Sequence, residues 1–171
     1  MNGNNEIWST IKVVADCWQE HAARIAVFAQ TTSSFEEWLN WEAYYASLKA
    51  NLNPEAKSNY GDLGAADFQK QADLRLRPPN QPEIIIEVGL THDGTMRSKW
   101  LEKLKQDRAK LEHIAGDKFV RVQMVINACQ QPESLTYWNI ALSELHATTL
   151  PQVKYWFDEA HNLHRIFAWK I

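Results

Sequence analysis

Two acidic residues, Asp73 and Glu87, carry the clearest chemical signal in this chain. Each sits in a run that alternates between apolar and polar residues, and Pro78-Pro79-Asn80-Gln81-Pro82 separates the two runs. Prolines cannot donate to a strand ladder, so that segment is expected to be a turn. Side chains on a strand alternate between faces. In residues 67–77, Asp67, Gln69, Gln71, Asp73, Arg75 and Arg77 share one face; Phe68, Lys70, Ala72, Leu74 and Leu76 share the other. In residues 83–90, Ile84, Ile86, Val88 and Leu90 form the core face, with Glu83, Ile85, Glu87 and Gly89 opposite.

Folding the runs antiparallel about Asn80 sets Leu76 against Ile84, Leu74 against Ile86, Arg77 against Glu83 and Asp73 against Glu87. Opposed Cβ atoms lie about 5 Å apart, where like charges repel. A hard divalent cation such as Mg2+ or Mn2+ offsets that repulsion, because it favours carboxylate, water and phosphate oxygens. The alternative is a slipped register or a pair splayed into water. A slip of two residues still leaves both acids on one face.

The remaining pattern must position this hairpin. Residues 6–29 carry Ile7, Ile11, Val14, Trp18, Ile25 and Phe28 at helical spacing, which predicts one long helix. Ser34 and Glu37 have the spacing of a capping box. The helix they open runs to about residue 50, with Phe35, Trp38, Leu39, Trp41, Tyr45 and Leu48 on its apolar side and Glu42 within that side. Residues 55–66 read as a loop with room for a short strand. After the hairpin, residues 95–114 form a helix with Trp100, Leu101, Leu104, Leu111 and Ile114 inward. Residues 118–128 form a strand, 133–146 a helix, 153–163 a shorter helix and 165–170 a closing strand. The expected fold is α/β, a mixed central sheet flanked by helices in the order α-α-β-β-α-β-α-α-β. The whole chain, 1–171, reads as one domain: an N-terminal helical part (1–34), a core (35–128) and C-terminal helices with the closing strand (129–171).

Apolar residues make up 45% of the chain, and no apolar run approaches the roughly 20 residues of a membrane helix. A polar start without a signal-peptide pattern points to the cytoplasm. Cys17 and Cys129 form no CxxC and are expected as reduced, buried thiols. The net charge of −3 hides an asymmetry: residues 95–121 hold eight Lys or Arg and four Asp or Glu. That segment either faces phosphates or is a solvated helix of mixed charge. His161 and His164 lack a third ligand, so they make a poor zinc site. His92 and Asp93, just past Gly89, either line the site's mouth or serve the turn. Trp41 and Trp169 are candidates for exposed stacking.

The hairpin resembles the PD-(D/E)XK nuclease superfamily, the restriction-endonuclease-like fold. Lys70-Gln71-Ala72-Asp73-Leu74-Arg75-Leu76 is similar to the family's Asp strand, Ile84-Ile85-Ile86-Glu87-Val88-Gly89-Leu90 to its Glu strand, and residues 100–111 to the helix that follows. The resemblance spans roughly residues 35–128. It implies an Mg2+ (or Mn2+) ion held by Asp73, Glu87 and the Val88 carbonyl, with Glu42 as the helical Glu. Glu42 also reads as a carboxylate bonded to a tyrosine or reaching out from the apolar side. The family's motif Lys falls at Gly89, which can neither orient water nor stabilise charge. Lys99 and Lys103 on the next helix are the nearest substitutes in sequence, since Lys70 is expected to point toward the core. Two functions follow: a metal-dependent nuclease acting on DNA or RNA, or a nuclease-like protein that has lost catalysis and binds a partner, as an immunity or inhibitor protein does.

Overall fold

The computed structural model describes residues 3–31, 33–65, 70–94, 96–129, 131–145, 153–156 and 165–171. Its centre is a six-stranded mixed sheet in the order β1-β2-β3-β4-β6-β5. The strands are β1 (Glu55–Asn59), β2 (Gln71–Leu76), β3 (Glu83–Thr91), β4 (Phe119–Asn127), β5 (Val153–Trp156) and β6 (Arg165–Lys170). Among the described residues, β3 and β4 run parallel and the other neighbouring strands antiparallel. A parallel pair needs a crossover, and helix α4 (Arg97–Glu112) supplies it.

Helices cover both faces. On one side α1 (Gly3–Glu20), α2 (Ala22–Phe28) and α3 (Glu36–Lys49) pack over the sheet. Ile11, Val14, Trp18 and Leu39 meet Leu74, Ile84, Ile86, Val88, Val122 and Met124 there. On the other side lie α4 and α5 (Pro132–Glu144), with Trp100, Leu104 and Trp138 against Val125, Phe167 and Trp169. β3 is therefore buried on both faces, which is why Ile84-Ile85-Ile86 is apolar without a break. Each such side chain contributes about 1.5–3 kcal/mol by leaving water.

Several expectations need correction. The first helix is two helices, broken at His21. α3 starts at Glu36, with Ser34 Oγ accepting from the Glu36 N–H at 3.4 Å; Glu37 instead pairs with Lys57. Its inward face is Leu39, Asn40, Ala43 and Ser47, whereas Trp41, Tyr45 and Leu48 are about half exposed. Small side chains let the helix approach the sheet; Phe35 and Trp38 still pack on the core as expected, and Trp41 and Tyr45 are turned outward. Residues 55–59 are the short strand for which segment 55–66 has room, and a 3-10 turn, Tyr60–Leu63, follows. Residues 153–156, expected as helix, pair antiparallel with β6. Lys70 is exposed and lies outside β2. Trp169 is buried beside α5; Trp41 is exposed. Residues 67–69, His161 and His164 fall outside the described residues. Among the described residues, no helix is long and apolar enough to cross a membrane.

Candidate functional site

The register expected for the hairpin is the one observed: Leu74 pairs with Ile86, Arg75 with Ile85 and Leu76 with Ile84. Arg77 reaches Glu83 at 3.7 Å, and Arg75 approaches it more closely at 2.6 Å. The next step of that register would set Asp73 against Glu87, but the ladder stops at Leu74. Asp73 Oδ2 accepts the Val88 N–H at 2.9 Å, so a carboxylate takes the place of a strand carbonyl. β2 continues along β1 through Ala72 and Gln71, while β3 continues along β4. The strands fork there, and the charged groups gather in the fork.

Asp73 is held from one side. Its Oδ1 accepts from Asn40 Nδ2 of α3 at 3.1 Å and from Lys57 Nζ of β1 at 3.3 Å. Glu87 is held from the other. Tyr60 donates its hydroxyl to Oε1 in a short bond, and Lys110 Nζ of α4 lies 3.1 Å from Oε2. Lys110 also contacts Asp107 at 2.6 Å, and Lys103 bridges Asp107 and Glu36 at 3.0 Å each. One network thus joins α3, α4, β1, β2 and β3.

Charge does not balance in it. Glu36, Glu37, Asp73, Glu87 and Asp107 face Lys57, Lys103 and Lys110. Glu87 is 1% exposed, and burial, then the negative charge of Asp73 and Asp107, push its carboxyl up to about 8; Lys110 and Tyr60 only partly oppose this. Burial likewise holds Glu36 above the usual carboxylate range despite Lys103. Burial alone would depress the Lys103 and Lys110 ammonium groups, but their acidic neighbours more than reverse it. The site therefore favours positive charge, either a proton on Glu87 or a cation.

The donors in the fork are hard oxygens, which suit Mg2+ in kind. The excess of acid suits it in charge. Each oxygen of Asp73 and Glu87 already accepts a protein hydrogen bond, so an ion would compete with the Lys57 and Lys110 contacts.

Of the residues picked from sequence, Asp73, Glu87, Val88 and Lys103 come together in the fork. Lys99 is exposed on α4. Glu42 turns the other way, with Oε2 at 3.1 Å from His21 Nε2 of the α1–α2 break. The acidic residue that α3 does send to the fork is Glu36. His92 is buried against Phe35, with ring centroids 5.8 Å apart, and its Nδ1 accepts the Gly94 N–H. Asp93 caps Gln131 instead.

Gly89 is explained by packing. A Cβ there would collide with Leu104 Cδ2 and come within 3.3 Å of Val125 Cγ2, so α4 occupies the space a motif Lys would need. Lys110 enters from that same helix. Spacing along the chain does not mark Lys110, Tyr60 or Lys57 as members of the site. One signal was present: the α4 stripe Trp100, Leu104, Leu111, Ile114 has Asp107 in its gap, a charge at a core position.

The basic helix is largely neutralised within the protein. Lys105 pairs with Glu144, and Arg108 with Glu112 at 2.8 Å. Both cysteines are free; Cys129 is buried and Cys17 half-buried, and burial pushes the Cys17 thiol up to about 11 and that of Cys129 up to about 12. Comparison with protein-family models, curated proteins and solved structures gives no match for this chain.

Proposed function

We propose that this chain is a cytoplasmic, PD-(D/E)XK-like hydrolase with a restriction-endonuclease-like core, and that the fork between β2 and β3 cleaves phosphodiester bonds of DNA or RNA. The observation that carries this reading is the gathering of Asp73, Glu87 and a lysine, Lys110, around one break in the ladder. Mg2+ or Mn2+, held by Asp73, Glu87 and the Val88 carbonyl, would supply a polarised phosphate and an acidified water. The protein's own groups do the rest. The Val88 N–H fixes the Asp73 carboxylate. Tyr60 fixes Glu87. Lys110 replaces the motif lysine that Gly89 cannot provide, and its ammonium neutralises charge developing on the phosphate. Lys103 and Asp107 hold Lys110 in position.

The test is cleavage of single- and double-stranded DNA and RNA with either metal. Cleavage should need the metal and fall at least about a hundredfold in Asp73→Asn, Glu87→Gln and Lys110→Met. Absence of cleavage on every substrate, or cleavage that survives all three changes, rejects the reading.

A second reading is favoured by a specific observation: all four carboxylate oxygens are engaged and the paired cations of α4 are turned to protein acids. It is a nuclease-like protein without catalysis that binds a partner, as an immunity or inhibitor protein does. The two readings differ in metal binding. A ligand of the native state raises its melting temperature, so a rise with millimolar Mn2+ that vanishes in Asp73→Asn supports the first. An unchanged melting temperature supports the second.

A further inference from the structure

The break between α1 and α2 places a different donor set on the opposite side of the molecule from α4. Cys17 and His21 lie one helical turn apart at the end of α1, and Glu42 faces them from α3. Cys17 Sγ, a ring nitrogen of His21 and a carboxylate oxygen of Glu42 all lie within 4.8 Å of one another. His21 Nε2 and Glu42 Oε2 are 3.1 Å apart, and Cys17 Sγ lies 3.5 Å from the Glu42 carbonyl. The three side chains line a cleft of about 510 Å³ between α1 and α3.

We infer that Cys17, His21 and Glu42 form a site for a zinc-type transition-metal ion with an open coordination position toward the cleft. Bonds of about 2.0–2.3 Å to sulfur, nitrogen and oxygen put the donors of a tetrahedral Zn2+ ion roughly 3.2–3.7 Å apart. The His21–Glu42 separation of 3.1 Å is already close to that spacing, and the donors, all within 4.8 Å of one another, draw together on the ion. Thiolate and imidazole are soft or borderline ligands, so the set selects Zn2+ or Co2+ over Mg2+. The imidazole nitrogen and carboxylate oxygen meet lone pair to lone pair unless a proton or a cation lies between them. Asp16 and Glu20 line the same cleft and add negative charge, which Lys49 on its rim partly offsets. Three protein ligands leave the fourth position to water or to a small anionic ligand. His21 is also held in place, its ring 5.6 Å from that of Trp38. This site shares no residue with the fork and does not depend on the fork's activity.

The experiment uses the full chain, stripped of metal and titrated with Co2+. A single equivalent should bind, with the ligand-field bands of a four-coordinate ion and a thiolate-to-cobalt charge-transfer band. Cys17→Ser should abolish the charge-transfer band, and Cys129→Ser should leave it intact. His21→Ala and Glu42→Gln should each weaken binding at least about tenfold. Zn2+ should displace the Co2+, and millimolar Mg2+ should not. Circular dichroism confirms that each variant is folded, and Glu42→Gln, which keeps the side chain's shape, guards against misfolding in Cys17→Ser. No charge-transfer band, a band that survives Cys17→Ser or depends on Cys129, or displacement by Mg2+ would each overturn the assignment.

Discussion

The fork between β2 and β3 and the cleft between α1 and α3 both bring acids together from separate elements, yet they treat charge in opposite ways. In the fork, the Glu87 and Asp107 carboxylates are buried and share one ammonium group, that of Lys110 on α4, so each member depends on the others. In the cleft, His21 and Glu42 meet each other at 3.1 Å, and about a quarter of each side chain is open to solvent. Buried pairs are costly to break and exposed ones cheap. The fork is therefore coupled to the fold as a whole, whereas the cleft is nearly independent of it.

Four measurements press on that contrast. The largest effect is expected from Lys110→Met, which leaves Glu87 and Asp107 without their shared cation. Denaturant melts above pH 8 should show a loss of about 3 kcal/mol, shrinking in acid as Glu87 takes up a proton. A loss below 1 kcal/mol would make the fork behave like the cleft. Next is Gly89→Ala, whose methyl group strikes Leu104. It should cost about 1–3 kcal/mol, and adding Leu104→Ala should cost less than the two single losses together. Strict additivity would show that α4 does not bear on Gly89.

The third concerns pH. Glu87 is lifted from 4.5 to about 8 in the folded chain, so between those values the native state holds a proton that the unfolded chain has released. Stability therefore falls as pH rises through that window, by at most about 1.4 kcal/mol per unit. Glu87→Gln should flatten the melting temperature between pH 5 and pH 8; an unchanged slope would mean that the carboxyl titrates normally. The smallest effect is expected in the cleft. Glu42→Gln, in metal-free protein, should change stability by only about 0–1 kcal/mol. A larger loss would remove the distinction between the two regions.

How far the sequence foretells these regions depends on how local their causes are. β3, β4 and β6 are legible because apolar runs of strand length leave few other assignments, and the hairpin register follows from counting about Asn80. Asp73 and Glu87 are found by the same counting. Their partners are not, because Tyr60, Lys57 and Lys110 arrive from other elements and spacing along the chain is silent about reach between elements. α3 misleads for another reason. Phe35, Trp38, Trp41, Tyr44, Tyr45 and Leu48 surround the helix, so several faces look apolar, and close packing chose the one lined by Ala43 and Ser47. The segment 153–156 pairs with β6, and Val153, Tyr155 and Trp156 are residue types that strands favour. The break at His21 has no local marker, since neither Gly nor Pro stands there.

Lys57 sits in the middle of β1 with φ at 57°, a left-handed conformation that side chains rarely take. That twist accompanies the delivery of its ammonium to Asp73 and Glu37. Main chain and side chain therefore pull in opposite directions at one residue. Glycine there would relax the backbone while deleting the cation, and the two changes would partly cancel in any melt. Lys57 is a place where an unaltered stability can conceal a rewired charge network.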